Sequence, residues 1–209
     1  MILADGAGGT TRGDVAAQAI VDAVTAAGAT ADPCALLAEQ AIVDAVTAAG
    51  ATADPCALVA AQAIVDAVTA AGATADPCTL LAELDADGPR LGHGQSTAVI
   101  VAVSAAGVTG AGVGDAGAWV IAADGVVDLT AGQVRKPLVG DGCLPRPISA
   151  PALGTATLLV ASDGLLALRQ GVRHRTARAA RALVELVRLP NGTLQDDVGI
   201  VLCRHVRHA

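Results

Sequence analysis

Five aspartates stand at the ends of apolar runs. Asp5 closes ILAD, Asp115 follows GVG, Asp163 follows LLVAS, and Asp196-Asp197 precede VGIVL. A carboxylate at a strand end reaches into the loop layer beyond the sheet. Several that converge there repel one another unless a cation joins them. Oxygen-only donors suit hard cations such as Mg²⁺ or Mn²⁺. Taken singly, an Asp-Gly pair is ordinary turn chemistry. It is the recurrence at strand ends that points to a metal cluster.

Two other patterns compete for attention. Gly112, Gly114 and Gly117 match GxGxxG after a strand. The segment that follows, AWVIAADG, reads as strand and turn, whereas a dinucleotide site requires a helix there. GHGQST around Ser96 has the outline of a nucleophile elbow, but the closing glycine is missing and Ser96 opens a strand. His93 beside it reads as a loop residue.

The elements that would position the aspartates follow from hydrophobic patterning. Strands are expected at 2–4, 96–104, 108–113, 118–121, 126–129, 155–161 and 198–203. Residues 133–153 carry four prolines and read as a loop. A helix is expected over 176–188, stopped by Pro190-Asn191-Gly192. Residues 14–84 read as helices with turns. A block of helices beside many strands makes an α+β domain, with 1–209 taken as a single domain.

The strongest pattern in the chain is internal. QAIVDAVTAAGATADPC begins at Gln18, Gln40 and Gln62, a period of 22 residues. Each unit reads as one helix and one turn. Asp32, Asp54 and Asp76 are N-cap candidates ahead of Pro33, Pro55 and Pro77. Gly28, Gly50 and Gly72 stop the preceding helix. The result is a tandem helical repeat over 18–84. Solenoid repeats diverge and carry atypical ends, so a tandem duplication of one helix and its turn is the simpler reading. One Cys per repeat, at 34, 56 and 78, is more simply a small buried residue copied three times than a ligand set.

Composition narrows the function classes. The 209 residues have a net charge of −7 and only one large aromatic, Trp119. Acidity argues against nucleic acid as a partner, since phosphate binding runs on a Lys/Arg surplus. The basic stretch Arg169 to Arg181 reads as the solvated face of a helix. The absence of Phe and Tyr argues against base-stacking platforms. A mean hydropathy of +0.57 excludes a disordered tail. Five cysteines with no CxxC pair fit reduced cytoplasmic thiols better than a disulfide frame or a zinc site. The longest uncharged run, 95–114, is broken by glycines and reads as a strand pair, so no membrane span is expected.

The motifs, taken in order, resemble those of a known family, the PPM-type (type 2C) metal-dependent protein serine/threonine phosphatases of bacteria. ADGAGG at 4–9 resembles its DGMGG or DGHGG. GQSTAVIVAV from Gly94 resembles its Gly-Ser/Thr-Thr-Ala strand, GVGDAG from Gly112 its GDSR segment, LLVASDGL from Leu158 its SDG segment, and LQDDVGIVLCR from Leu194 its closing Asp-Asn motif. The resemblance runs from Ile2 to Arg204. It implies a four-layer αββα sandwich of two antiparallel sheets flanked by helices, here with an expanded helical segment. It also implies two or three Mg²⁺ or Mn²⁺ ions and hydrolysis of phosphoserine or phosphothreonine in a phosphorylated protein, with a serine/threonine kinase pathway as the source of that substrate. By position Asp5 would bridge two ions, the Gly6 carbonyl would ligate one, and Asp163 and Asp196 would complete the first. Asp115 would serve an additional ion. Ala7 stands where some members have His, and Ala116 and Gly117 replace Ser and Arg of GDSR. The chain opens on the DG strand, so the expectation is that the family's upstream strand pair, its acidic second-metal ligand and its phosphate-gripping Arg are missing. The competing expectation is a non-catalytic pseudophosphatase or helical-repeat interaction protein.

Overall fold

The computed structural model describes residues 2–6, 41–48, 76–87, 95–168, 180–194 and 198–205. The elements in chain order are β1 (Ile2–Gly6), β2 (Ala41–Ala48), α1 (Pro77–Asp85), β3 (Ser96–Ser104), β4 (Gly107–Val113), β5 (Gly117–Ile121), β6 (Val126–Asp128), β7 (Arg146–Pro151), β8 (Thr157–Ala161), a 3₁₀ turn (Asp163–Leu168), α2 (Ala180–Val187) and β9 (Val198–His205).

Two antiparallel sheets result. One has the order β1-β3-β4-β7 and the other β2-β9-β8-β5-β6. The Val/Ile-rich strands have a physical reason to be apolar on both sides, because both faces of each sheet are covered. Between the sheets, Val99, Val101, Val108 and Ile148 meet Ala118, Leu158, Val160, Val201 and Cys203. On the outer face of the five-stranded sheet, Trp119, Ile121, Leu159, Ile200 and Leu202 lie under Leu183 and Val184 of α2 and Leu165 of the 3₁₀ turn. On the far side, α1 packs against β4 and β7 with Leu81 and Leu84 buried. The expected αββα layering is therefore what the chain forms. Among the described residues no helix is long and apolar enough to cross a membrane.

α1 starts as the sequence predicts. The Asp76 carboxylate accepts from the Thr79 backbone N–H at 2.8 Å and from its hydroxyl at 2.7 Å, and Pro77 takes the first helical position. The hydroxyl bond and then the amide bond from Thr79 hold the Asp76 carboxyl below its ordinary range. The helix ends on Asp85, whose carboxylate accepts three backbone N–H groups from one loop: Gly140 at 2.7 Å, Gly142 at 3.1 Å and Cys143 at 3.1 Å. Gly140 and Gly142 adopt φ of +96° and +78°, the left-handed backbone that turns successive amides toward one acceptor. Burial, and then the Asp85 charge, push the Cys143 thiol up to about 12.

Two expectations require correction. Residues 41–48, read as part of a helical repeat, form β2 and pair with β9 over all eight positions from Ala41↔His205 to Ala48↔Val198. AIVDAVTA holds one Ile, two Val and a Thr, which lose χ1 freedom in a helix and fit a pleated surface. Here the neighbouring strand overrides a weak helical period. The rest of the repeat before Asp76, including Asp32 and Asp54, lies outside the described residues. The second correction is β7, inside the stretch read as a proline loop. It borders β4 alone, and the edge of a sheet is where strand prolines such as Pro147 and Pro151 are tolerated.

Two measurements check this packing. Leu183 is fully buried, so Leu183→Ala is expected to lower unfolding stability by about 2–5 kcal/mol in urea titrations. A loss under about 1 kcal/mol would mean that α2 is not seated on the sheet in this way. Cys143 is expected to resist iodoacetamide at pH 8 in the folded protein and to label once urea unfolds it, read by mass spectrometry at that residue, since the thiolate is the reactive form.

Candidate metal centre

Strand pairing alone decides where the aspartates go. β1 ends at Gly6, level with Ser96 at the start of β3. β4 ends at Val113, level with Ala98 near that same start. The three residues Gly114-Asp115-Ala116 then carry the chain to the other sheet. There β5 begins at Gly117, level with Ala161 at the end of β8, and Ala161 is level with Ile200 near the start of β9. Asp5, Asp115, Asp163 and Val198, where β9 begins, thus fall at one end of the sandwich. For Asp5 and Gly6 the structure describes the backbone position. Asp196 and Asp197 lie outside the described residues.

Asp115 sits on the link between the sheets. Its Oδ2 accepts from Arg135 Nε at 3.2 Å and Nη2 at 3.1 Å. The Asp115 side chain is 21% exposed and that of Arg135 76%, so this pair is partly solvated and of modest strength. Gln133 grips the backbone on both sides of Asp115. Its Nε2 donates to the Gly114 carbonyl at 2.7 Å and to the Ala116 carbonyl at 3.3 Å. Its Oε1 is buried with no hydrogen-bond partner.

The glycines of the GxGxxG pattern serve this link. A Cβ on Gly112 would lie 2.3 Å from Gln133 Oε1, and one on Gly117 would lie 2.1 Å from the Trp119 ring. Gly114 has φ +86°, a conformation other residues rarely adopt. No helix follows, so the spacing answers to packing and not to a nucleotide.

Asp163 opens the 3₁₀ turn directly after β8 and is half-buried. Ser162 fixes its place. The Ser162 N–H donates to the Gly199 carbonyl at 3.0 Å, and the Gly199 N–H donates to Ser162 Oγ at 2.9 Å. This reciprocal pair ties the end of β8 to the start of β9, and so sets where the turn carrying Asp163 begins. Ser96, by contrast, is fully buried and its hydroxyl donates to the Thr97 carbonyl at 2.8 Å. It is a core residue with no access for a substrate. His93 lies outside the described residues.

Among the described residues, no three His, Cys, Asp or Glu side chains gather into a metal-binding group. The donor chemistry at this end is nonetheless that of a hard divalent ion, carboxylate and carbonyl oxygen, and Asp115 already draws a cationic group to itself. Gln133, Arg135 and Ser162 were not singled out by sequence. Ser162 could have been, as the residue that turns a strand into Asp-Gly. Gln133 and Arg135 are about 20 positions from Asp115 and leave no local signal.

Neither a protein-family model nor a curated protein matches the chain. Solved structures do. The serine/threonine phosphatase PstP/Ppp of Mycobacterium tuberculosis superposes with a TM-score of 0.56 at 15% identity, covering 99% of each chain. The serine/threonine phosphatase of S. agalactiae gives 0.60 at 16% identity, over 80% of this chain and 87% of that one. RsbX, in a structure with magnesium, gives 0.55 at 16% identity over 84% of each. The layered sheets have the fold of the bacterial PPM-type serine/threonine phosphatases.

Proposed function

We propose that the chain is a metal-dependent phosphatase that hydrolyses phosphoserine or phosphothreonine in proteins. The observation that carries this reading is the placement of Asp115, Asp163 and the Asp5 backbone at one end of a PPM-type sandwich. The same fold is recorded with two manganese ions in PstP and with magnesium in RsbX, which supports Mn²⁺ or Mg²⁺ as the ions. Asp5, the Gly6 carbonyl, Asp163 and Asp196 would hold the principal ions, and Asp115 an additional one. Bound there, divalent ions supply an acidified water and neutralise charge on the phosphoryl oxygens.

The protein's own groups act by position. Ser162 and Gly199 tie the end of β8 to β9, which holds the turn that carries Asp163 in place. Gln133 fixes the backbone at Asp115 from both sides, and Arg135 shields that carboxylate until a competing cation arrives. Such supporting shells set how well ligands are oriented. Reduced cysteines and a cytoplasmic setting belong to the same reading, as does a kinase pathway that would supply the phosphoprotein.

The test is release of phosphate from a phosphothreonine peptide with Mn²⁺ present and with EDTA. Activity is expected with the metal and none with the chelator. Asp163→Asn is expected to cut kcat by about 100-fold or more, and Ser162→Ala by about 10- to 100-fold, with folding retained by circular dichroism. Manganese binding by calorimetry without any turnover would instead make the chain a metal-binding pseudophosphatase. Wild-type activity in Asp163→Asn would sink the proposal outright.

A further inference from the structure

Asp115 and Arg135 are held with very different firmness. Gln133 grips the backbone on both sides of the aspartate. Gly114 ahead of it is wedged in place, since a Cβ there would lie 2.7 Å from Thr97 Cγ2 and 2.9 Å from Leu138 Cδ2. The Arg135 side chain is 76% exposed and belongs to the stretch between β6 and β7. The carboxylate is a fixed post, and the guanidinium is a solvated group on a long, flexible stem.

The bonds are equally uneven. Nε and Nη2 both donate to Oδ2, so the two-oxygen fork that makes an Arg–carboxylate pair strong is not used. Oδ1 takes neither bond. A pair this exposed shifts an equilibrium by only about two- to fivefold.

We propose that Arg135 is the specificity-determining residue of the Asp115 position: a tethered cation that a divalent ion displaces and a monovalent ion does not. The proposal rests on the reading above that Asp115 takes an additional ion. A monovalent ion brings Oδ2 the charge it already has, without the two N–H donors. It must also be drawn from solution, whereas the chain keeps the guanidinium within reach. A divalent ion brings twice the charge, and the Coulomb attraction scales with it. Carboxylate oxygen is the donor such hard ions prefer. Releasing Arg135 costs little, because most of its side chain is in solvent before it leaves. The two cations compete for one oxygen. Whatever affinity Arg135 has for Asp115 therefore lowers the affinity of the ion, and the ion weakens the pair by the same factor.

Two readouts other than turnover test this. Phenylglyoxal adds to guanidine nitrogens and is slowed where a carboxylate holds them. Its adduct at Arg135, followed by mass spectrometry in the wild-type protein, is expected to form about two- to fivefold faster with millimolar Mn²⁺. Exchanging choline chloride for KCl at equal ionic strength is expected to change nothing. In Asp115→Asn the fast rate is expected with or without Mn²⁺. Calorimetry gives the second readout, with folding of each variant checked by circular dichroism. Arg135→Gln is expected to tighten the weakest Mn²⁺ step by about two- to fivefold, and Arg135→Lys to fall between it and wild type. No effect of Mn²⁺ on Arg135 labelling, an equal effect of KCl, or unchanged or weaker Mn²⁺ binding in Arg135→Gln overturns the proposal. If Asp115→Asn keeps every Mn²⁺ step of the wild type, the assignment of an ion to Asp115 fails and the proposal falls with it. If Asp115→Asn loses a step while Arg135→Gln binds as wild type does, the proposal alone fails.

Discussion

The three residues Gly114-Asp115-Ala116 are the shortest crossing between the two sheets among the described residues. They must cross from one sheet to the other, a gap of about 10 Å, and leave no slack. A short crossing fixes which ends of the two sheets lie together, and through the antiparallel ladders that choice propagates to β1, β3, β8 and β9. Gln133 holds the crossing by donating from its Nε2 to both flanking carbonyls. The bare backbone at Gly112 lies against the Gln133 amide, and that at Gly117 against the Trp119 ring. An acidic residue in the middle of such a link cannot wander, which is the property a metal ligand needs.

The second tie is of a different kind. Ser162 and Gly199 exchange two hydrogen bonds between adjacent strand ends, so the turn that carries Asp163 inherits its position from the sheet. The third is the carboxylate of Asp85, which gathers three amides of the 140–143 loop at the end of α1. That loop pairs in turn through Val139 with Ser96. The start of β3, beside Gly6, is therefore braced from the helix layer as well as from its own sheet.

Much of this was legible in the sequence where a local rule governs. β3 was read at its observed limits, because nine residues rich in Val follow a polar start. The Asp76-Pro77 cap of α1 was read from capping chemistry alone. The acidic ends of β1 and β8 were read from apolar runs that stop at Asp-Gly. The failures share a cause. β2 has a helical period in its sequence, but β9 decides its state, and its partners there lie 150 to 164 positions away. β7 was hidden because proline ordinarily excludes a strand, and only the knowledge that it is an edge removes the objection. Gln133 and Arg135 act at Asp115 from about 20 positions away, where no local spacing rule operates.

The chain's single tryptophan has an optical consequence. With no tyrosine, ultraviolet emission arises from one indole, 8% exposed, lodged between the five-stranded sheet and α2. Its signal reports the seating of that helix layer. It is silent about the inter-sheet core of Val99, Val160 and their neighbours, which contains no chromophore. The same indole ring lies against Gly117, two residues from Asp115, so the one fluorophore also stands beside the link that joins the sheets. A cation reaching that link would be announced by a residue that takes no part in holding it.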